Sequence, residues 1–431
     1  GTLVTMDPKR SIFMQDLWIK DHVIHKIGKN LILSLDRQNS TYTCIDATGC
    51  WGLPGFIQTH VHLCQTLFRN HAEDLELLDW LQKKIWPFEA KLTPAALFLS
   101  ASLGIAELLK SATTTILDMG TLHHTDELFQ SAKISGIRYF GGKAMMDRGE
   151  SFPLIEDTQA SLDETQRLIE TWHQKENGRL RYALAPRFAL SCSQKLLKAC
   201  VDLSKKHALI IHTHASENKL ECKIVHEQTG KDTIHYLNDL GLCQTKSSFA
   251  HGVWLKEDEI QILSDTQTKL THCPSSNLKL ASGIADIPKW LQANICVSLG
   301  ADGAPCNNTL NIFQEMRLAA LIQKPLYGAR ALSAQTCVEM ATLYGAKALG
   351  MEQTLGSLES GKLADVVVIQ QNELSQLPNI PDDPYTALVY ATSPHCVKDV
   401  IVHGKILVHQ YKLCSLDEKK LISQMRGLSQ V

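Results

Sequence analysis

Eight short apolar segments between residues 55 and 356 alternate with longer amphipathic stretches, and this order constrains the fold more than any other feature. Each apolar segment has the length of a strand, and most intervening stretches, such as PAALFLSASLGIAELLKSA, have the character of a helix. Strands that alternate with helical crossovers form parallel sheets, and eight such units close into a barrel. The sequence therefore predicts an α/β protein with a TIM-like (β/α)8 barrel. Its strands are predicted at residues 55–62, 113–120, 137–144, 180–187, 208–215, 247–253, 268–274 and 295–302.

The two ends of the chain have a different pattern, with short strand-like runs separated by turns. Residues 16–28 alternate polar and apolar side chains, and a further short strand is expected within residues 41–49. The runs at 364–370 and 397–412 have the same strand-like character, and HGK within the second run predicts a hairpin turn.

These patterns predict how the chain divides into domains. We expect residues 1–54 and 357–412 to pair as one small β-sandwich domain that is discontinuous in sequence. The catalytic barrel is predicted at residues 55–356, and residues 413–431 are predicted to form a helical tail.

The composition limits the classes of protein to which the chain can belong. Its 431 residues are 44% hydrophobic, which provides enough apolar side chains for a large core. The formal net charge is −2, so no excess of basic residues favours binding of a nucleic acid. The sequence has no run of 18 apolar residues and no secretory-signal pattern at its start, so neither a membrane span nor export is expected. We expect a cytoplasmic protein whose 13 cysteines, Cys44 and Cys50 included, are free thiols.

Histidine and aspartate side chains recur where the predicted barrel strands end. Alternation along a strand directs the two histidines of QTHVH to one face of the first strand. A barrel brings the carboxyl ends of all its strands to one mouth, so side chains about 240 positions apart can converge there. The residues at the ends of the first, fifth, sixth, seventh and eighth strands are His60, His62, His214, His251, His272 and Asp302.

A divalent metal would explain why several imidazoles and a carboxylate are directed to one buried place. Imidazole nitrogens and carboxylate oxygens suit zinc or ferrous iron. We expect one such ion, held by three histidines and one aspartate that leave a position for water. The predicted ligands are His60, His62, His214 and Asp302.

Two further residues are candidates for the chemistry beside the ion. Glu217 follows His214 by three residues, so it can lie just past the strand end and take a proton from the water. His251 can stabilise developing charge by hydrogen bonding.

Other histidines compete for these roles. His212 shares the strand face of His214 and is an alternative ligand, although the spacing to Glu217 favours His214. His123 and His124 are adjacent, so on a strand they would face opposite ways, and we expect them outside the ligand set.

Six segments of the chain resemble motifs of the amidohydrolase superfamily, and within it the branch of methylthioadenosine/S-adenosylhomocysteine deaminases and triazine chlorohydrolases. The segments are PGFIQTHVH, HTHASE, AHGVWL, HCPSSNLKLASG, LGADGAPCNN and GSLESGKLADVVV, and the likeness runs from about residue 20 to 412. The resemblance implies a barrel with a β-sandwich and one metal ion, with Zn2+ expected first and Fe2+ as the alternative.

The resemblance also implies roles for individual residues. It gives the same four metal ligands, makes Glu217 the proton shuttle, and makes Asp302 a second acceptor for the proton of the attacking water. It makes His251 the histidine of the AHG motif. APRF stands at the end of the fourth strand, where binuclear relatives carry a bridging lysine, so one metal is expected.

The substrate residues implied by the resemblance point in two directions. RNHAEDLELLDWLQKKIWPFEA resembles the loop of adenosine-type deaminases in which a glutamate at the Glu89 position binds ribose hydroxyls and Trp86 lines the pocket. In contrast, Arg187 and Gln65 resemble guanine deaminases, where they would contact the carbonyl and amino edge of the base. His272 and Asn277 of HCPSSNLKL are further pocket candidates.

The sequence therefore predicts a metal-dependent hydrolytic deaminase of aminopurine compounds that releases ammonia. Adenosine-type nucleosides are the expected substrates: methylthioadenosine, S-adenosylhomocysteine, 5′-deoxyadenosine and adenosine. A guanine-type or pterin deaminase and an aminotriazine chlorohydrolase or deaminase are the enzyme alternatives, and a catalytically inactive scaffold is the non-enzyme alternative. The expected partners are the small-molecule substrate, water and further copies of the chain in a dimer or tetramer.

Overall fold

The computed structural model describes residues 1–31, 42–149, 154–371, 373–378 and 383–428. Within these ranges the strands are β1 (Thr2–Val4), β2 (Ile12–Met14), β3 (Asp16–Lys20), β4 (Val23–Gly28), β5 (Cys50–Pro54), β6 (Phe56–His62), β7 (Thr113–Thr121), β8 (Arg138–Met145), β9 (Leu180–Tyr182), β10 (Ala185–Pro186), β11 (Ile211–Ala215), β12 (Ser247–His251), β13 (Lys269–His272), β14 (Val297–Leu299), β15 (Asp302–Gly303), β16 (Val366–Gln370), β17 (Val397–Val402), β18 (Lys405–His409) and β19 (Lys412–Leu413).

Helices separate most of the strands of the middle region, as the alternation in the sequence predicts. They are α1 (Leu77–Trp80), α2 (Trp86–Glu89), α3 (Pro94–Lys110), α4 (Asp126–Ser135), α5 (Thr158–Trp172), α6 (Lys175–Gly178), α7 (Gln194–His207), α8 (Lys219–Thr229), α9 (Thr233–Asp239), α10 (Glu257–Asp265), α11 (Pro274–Lys279), α12 (Ile287–Gln292), α13 (Ala304–Asn307), α14 (Ile312–Tyr327), α15 (Ala334–Met340), α16 (Leu343–Ala348), α17 (Pro384–Tyr390) and α18 (Glu418–Leu428). Single turns of 3-10 helix lie at Leu374–Gln376 and Pro394–Cys396, a longer one lies at Leu63–Phe68, and a π-helical turn lies at Leu81–Ile85.

The strands of the middle region lie in two parallel sheets that adjoin at both edges. One sheet has the order β10-β8-β7-β6-β15, with β9 also on β8, and the other has the order β11-β12-β13-β14. Parallel bridges from Leu184 to Ile211 and from Phe188 to His214 join the β9–β10 segment to β11. At the other edge the chain passes from β14, which pairs with β13, into β15, which pairs with β6. The predicted α/β fold with a TIM-like arrangement of parallel strands is confirmed.

Two of the eight predicted strands are interrupted, and the second interruption positions a functional residue. Pro186 has no N–H to donate, which is consistent with the short β10. Between β14 and β15, a Cβ at Gly300 would lie 2.5 Å from the backbone oxygen of His60. Only glycine allows this close approach, which brings Asp302 beside the carboxyl end of β6.

Strands from both ends of the chain share one seven-stranded sheet with the order β19-β18-β17-β16-β5-β1-β2. β5 runs antiparallel to β16 and parallel to β1, so it joins the amino-terminal strands to the carboxyl-terminal ones. β3 and β4 form a separate hairpin. Residues 403 and 404 form the turn between β17 and β18, as predicted for HGK.

The strand predicted within residues 41–49 is wrong for the part that the structure describes. Residues 42–49 contain no strand, and β5 begins at Cys50. Asp46 accepts a hydrogen bond from the backbone N–H of Thr48 at 2.9 Å, and this Asx turn competes with extended backbone.

A buried ion pair joins the barrel to the terminal sheet. Arg138, at the start of β8, donates from Nε and Nη2 to the two carboxylate oxygens of Asp365, each at 2.8 Å. Asp365 also accepts from the backbone N–H of His403 at 2.8 Å. Loss of one partner would leave a buried charge unpaired, which is more costly than the intact pair is stabilising. The predicted boundaries of the sandwich and barrel domains stay a prediction.

The helix α18 lies within residues 413–431, where a helical tail is predicted, and the bounds of that tail stay a prediction. α18 lies against α3, where Lys110 forms an ion pair with Glu418 at 2.9 Å, and residues 429–431 of the predicted tail lie outside the described residues. All 13 cysteines are free thiols, as predicted. Among the described helices, none alone has the length and apolar composition of a membrane span; only the bent pair Leu77–Glu89 and Pro94–Lys110 meets both criteria when its halves are combined.

Candidate metal and active site

The structure brings together the four side chains predicted as metal ligands. His60 and His62 project from one face of β6, His214 projects from β11, and Asp302 begins β15. One potential ligand atom from each lies within 4.8 Å of all the others. The Nε2 atoms of His62 and His214 are 3.2 Å apart, and Asp302 Oδ1 lies 3.2 Å from the Nε2 atoms of both His60 and His62.

The hydrogen-bond network assigns the proton on each of two ligand rings. His212 Nδ1 lies 2.9 Å from the backbone oxygen of Ser248, so this nitrogen carries the proton and donates. His212 Nε2 is then an acceptor, and it receives the Nδ1–H of His60 at 2.7 Å. His214 Nδ1 donates to the backbone oxygen of Arg187 at 2.6 Å. These bonds leave an Nε2 lone pair on His60 and on His214, both directed at the cluster.

This arrangement answers the alternative in which His212 replaces His214 as a ligand. His212 lies two residues before His214 on the same face of β11, and its Nε2 already accepts a hydrogen bond from His60. It therefore supports His60 in the manner of residues that orient metal-ligating imidazoles.

The donor set fits a divalent cation. His60 Nε2 is buried and has no hydrogen-bond partner among the described residues, a costly state unless another group binds it. Burial lowers the pKa of His60, and it lowers that of His214 well below the usual range, so the rings are neutral. Neutral imidazoles and an ionised carboxylate are the forms that bind metals.

Strained backbone accompanies the site. Asp302 has φ +63°, His251 has φ +75° and Ser216 has φ +52°, although none is glycine. Such left-handed conformations are uncommon for residues with a Cβ, and they cluster where a side chain must be aimed. His251 ends β12, Ser216 follows β11 and Asp302 begins β15, so the strain turns the chain at the mouth of the barrel.

Glu217 and His251 face each other beside the ligand cluster. Glu217 Oε2 lies 3.5 Å from His251 Nε2, and Asp302 Oδ2 lies 3.9 Å from the same nitrogen. The Nδ1–H of His251 donates to Asn277 Oδ1 at 2.8 Å, which leaves Nε2 as an acceptor. Burial raises the pKa of Glu217 well above its usual range, and the charges of Asp302 and Glu221 add to the effect. A carboxyl group with such a pKa can carry a proton at neutral pH.

A second buried glutamate fixes the segment that carries Glu217. Glu221 Oε2 accepts from the backbone N–H groups of Glu217 at 2.7 Å and Asn218 at 3.2 Å. Asn218 and Glu221 form the capping box of α8. Glu221 was not predicted from the sequence, although an asparagine followed three positions later by glutamate is a capping-box signal.

A narrow cleft opens next to the ligand cluster. Polar groups of the cluster and apolar side chains both line it. The residues that line it are His62, Gln65, Leu77, Trp80, Leu81, Arg187, Phe188, His214, Glu217, Leu280 and Asp302. The apolar wall was missed from the sequence, although the spacing of Leu77, Trp80 and Leu81 is that of one helix face.

The predicted substrate residues divide into two groups. Gln65 and Arg187 line the cleft, whereas Glu89 lies behind them and binds both. Trp86 packs instead against an apolar cluster that includes Leu122.

The remaining pocket candidates also lie away from the wall. His272 and Asn277 are buried but are not among the lining residues, and Asn277 instead holds His251. His123 and His124 are exposed, as expected. His123 Nδ1 lies 3.8 Å from Glu156, outside the cluster.

Comparison with known proteins agrees with this geometry. The amidohydrolase family model matches residues 51–407. A 5-methylthioadenosine/S-adenosylhomocysteine deaminase of Carboxydothermus hydrogenoformans is 37% identical over 96% of this chain and 94% of its own length. A 5′-deoxyadenosine deaminase of Methanothermobacter thermautotrophicus is 39% identical over 88% and 86%. The zinc-bound crystal structure of an adenosine deaminase from Xanthomonas campestris superposes with a TM-score of 0.92 at 27% identity, covering 100% of this chain and 96% of that one. The chain belongs to the amidohydrolase family.

Proposed function

We propose that the chain is a metal-dependent hydrolytic deaminase of aminopurine compounds, with adenosine-type nucleosides as its preferred substrates. These are methylthioadenosine, S-adenosylhomocysteine, 5′-deoxyadenosine and adenosine. The observation that carries the proposal is the position of Glu217, which is buried 3.5 Å from His251 Nε2 on the wall of a cleft that is also lined by His62, His214 and Asp302. Relatives named as deaminases of such nucleosides support the same substrate class.

The proposed ion is one Zn2+, with Fe2+ as the alternative, held by His60, His62, His214 and Asp302. When bound, such an ion lowers the pKa of a water ligand from about 15.7 toward 7 and so makes a nucleophile available at neutral pH. The three Nε2 atoms and one carboxylate oxygen form a compact group that can bind one ion.

The side chains around the cleft perform the proton transfers of the reaction. Water adds to the ring carbon that bears the exocyclic amine, and Glu217 delivers its own proton to the adjacent ring nitrogen. Glu217 then passes one proton of the water to the leaving amine and recovers the other as the new carbonyl forms, so it ends the cycle protonated. The carbon–nitrogen bond breaks, ammonia leaves, and an oxo-purine remains. His251, held by Asn277, accepts a hydrogen bond through Nε2 and orients the attacking water, and Asp302 can share its proton.

A second candidate function is deamination of a guanine-type base. Its support is that Arg187 and Gln65 line the cleft whereas Glu89 does not. A pterin deaminase and an aminotriazine hydrolase would use the same proton transfers, but no contact of the wall favours them. The inactive scaffold is opposed by the presence of a complete ligand set together with Glu217.

We further propose that the protein acts in the cytoplasm as a dimer or tetramer, with no nucleic-acid or membrane partner. Thirteen free thiols support a reducing compartment. The exposed apolar side chains Leu321, Leu326 and Tyr327 of α14 support an association surface.

Ammonia release from a panel of substrates tests the proposed function. The zinc-loaded protein is assayed with adenosine, 5′-deoxyadenosine, methylthioadenosine and S-adenosylhomocysteine, and in parallel with guanine and melamine. We expect the highest kcat/KM on one of the four nucleosides. Activity on guanine alone would replace the first proposal by the second, and activity on melamine alone would contradict both.

A further inference from the structure

Both oxygens of the Glu89 carboxylate are already bound within the protein. Arg187 donates from Nη1 to Oε2 at 2.6 Å and from Nη2 to Oε1 at 3.0 Å, a bidentate ion pair. Gln65 donates from Nε2 to the same Oε1 at 2.8 Å. The side chains of Arg187 and Glu89 are each only 4% exposed. The three residues form one unit, here called the Glu89 triad.

The members of the Glu89 triad differ in their access to the cleft. Arg187 and Gln65 line it next to His62, His214 and Glu217, whereas Glu89 is not among the lining residues. A carboxylate has about four lone-pair positions, of which Arg187 and Gln65 occupy three. One position is too few to accept both hydroxyls of a ribose, which is the role that the resemblance implies for Glu89.

We propose that Arg187 is the residue that contacts the substrate, and that Glu89 is a positioning residue that acts through Arg187; this rests on the proposed function. The guanidinium has five N–H donors. Two bind Glu89 and a third approaches Met146 Sδ at 3.8 Å, so donors remain for a ligand in the cleft. Arg187 and Glu89 together carry no net charge. The pair therefore selects a neutral acceptor, either a ring nitrogen or a sugar hydroxyl, over an anionic group.

A comparison of substrate analogues with protein variants tests the assignment. kcat and KM are measured for adenosine, 3-deazaadenosine, 2′-deoxyadenosine and 3′-deoxyadenosine. The proteins are the wild type, Glu89→Gln, Arg187→Gln and the double variant. In the wild type, the analogue that lacks the contacted acceptor should lose about 10- to 100-fold in kcat/KM, the effect of one hydrogen bond to a charged group. Loss with 3-deazaadenosine identifies the ring nitrogen, and loss with a deoxy analogue identifies a sugar hydroxyl.

The variants then separate contact from positioning. Arg187→Gln should have the same kcat/KM for that analogue as for adenosine. Glu89→Gln should lower kcat/KM for both compounds and preserve at least part of the difference between them. The double variant should have a kcat/KM no lower than that of Arg187→Gln, because Glu89 acts only through Arg187. If Glu89→Gln removes the discrimination and Arg187→Gln preserves it, Glu89 contacts the substrate and the proposal is wrong. Additive losses in the double variant would also overturn it.

Two controls keep the test decisive. The double variant removes both charges together, so it avoids the unpaired buried charge that can unfold the single variants. Asp365→Asn breaks the other buried bidentate pair, with Arg138, outside the cleft. It should lower stability without changing the discrimination between analogues.

Failure of the proposed function is distinguishable from failure of this inference. If the wild type releases ammonia from guanine and from no nucleoside, the nucleoside proposal fails. The same four proteins are then compared on guanine, 3-deazaguanine and 6-thioguanine. The inference stands if Arg187→Gln alone removes the discrimination, and it falls if Glu89→Gln does.

Discussion

The metal side and the substrate side of the barrel mouth are held in place in different ways. On the metal side, His60, His62 and His214 project from paired parallel strands. The rings of His60 and His214 are each oriented by a hydrogen bond from Nδ1. On the substrate side, the residues between 63 and 89 form short 3-10, α and π turns rather than strands. A sheet restricts a side chain through its neighbours on both sides, whereas a short turn depends on side-chain contacts for its position. The metal side is therefore preformed by the backbone, and the substrate side by the Glu89 triad and apolar packing.

Removal of the ion or of one strand-borne ligand should have the largest effect. Exhaustive chelation, or His214→Ala, should reduce turnover to background, because the nucleophile is no longer available at neutral pH. Metal content by elemental analysis and ammonia release measure the two consequences. Re-addition of zinc should restore the chelated wild type and not the variant. Full activity after chelation would contradict the role of the whole metal side.

Glu217→Gln should separate the proton chemistry from metal binding. We expect kcat to fall by about 10²- to 10⁴-fold, the usual contribution of a general acid–base group. Metal content should stay near one ion per chain, because Glu217 is not one of the four clustered ligands. Unchanged turnover in this variant would show that another group shuttles the proton.

The stability of the packing behind the metal side should depend on pH through Glu315. This carboxyl group accepts hydrogen bonds from Ser275 and Asn307, yet burial raises its pKa to about 7. The folded state therefore holds this proton more tightly than the unfolded state, whose pKa is about 4.3. The stabilisation is complete below about pH 4 and is lost as the pH rises through 7, by about 4 kcal/mol.

Denaturant unfolding of the metal-free protein between pH 5 and pH 8 measures how its free energy of unfolding depends on pH. In Glu315→Gln the group no longer titrates. The variant should therefore lose less free energy of unfolding between pH 5 and pH 8 than the wild type does. An identical slope in the variant and the wild type would assign the pH dependence to other groups.

Loss of the residue behind His60 should have the smallest of these effects. His212→Ala leaves the four ligands in place but removes the acceptor of the His60 Nδ1–H. Metal affinity should fall about 10- to 100-fold, as for other residues that orient metal-ligating imidazoles. Competition with a chelator measures this affinity. His123→Ala, which alters an exposed histidine outside the cluster, is the control and should bind the ion as tightly as the wild type.

The metal side could be predicted from the sequence because it depends on two local rules. Alternation along a strand directs His60 and His62 to one face, and the barrel brings all strand ends to one mouth. The depth of a residue along the strand was harder to infer. His212 and His214 share a face, and only the contact of His212 with His60 shows that it lies behind the ligands.

The substrate side was predicted less completely because its contacts join distant turns. Glu89 and Arg187 lie 98 positions apart, and the sequence motifs around them indicate two rival substrates rather than one ion pair. Trp80, rather than Trp86, lies on the wall of the cleft. Pro87 cannot donate a hydrogen bond to the preceding turn, and the π turn just before it changes which residues of the segment face inward.

The order of strands and helices, the residues at the strand ends and the chemistry of a metal-binding hydrolase were determined by the sequence alone. Hydrophobic periodicity and strand alternation are local properties, so they can be read without knowledge of the path of the loops. The pairing of Arg187 with Glu89, the support of His60 by His212 and the apolar wall were decided only by the tertiary structure. Each depends on distances between segments that are far apart in the chain, and those distances exist only after the barrel has folded.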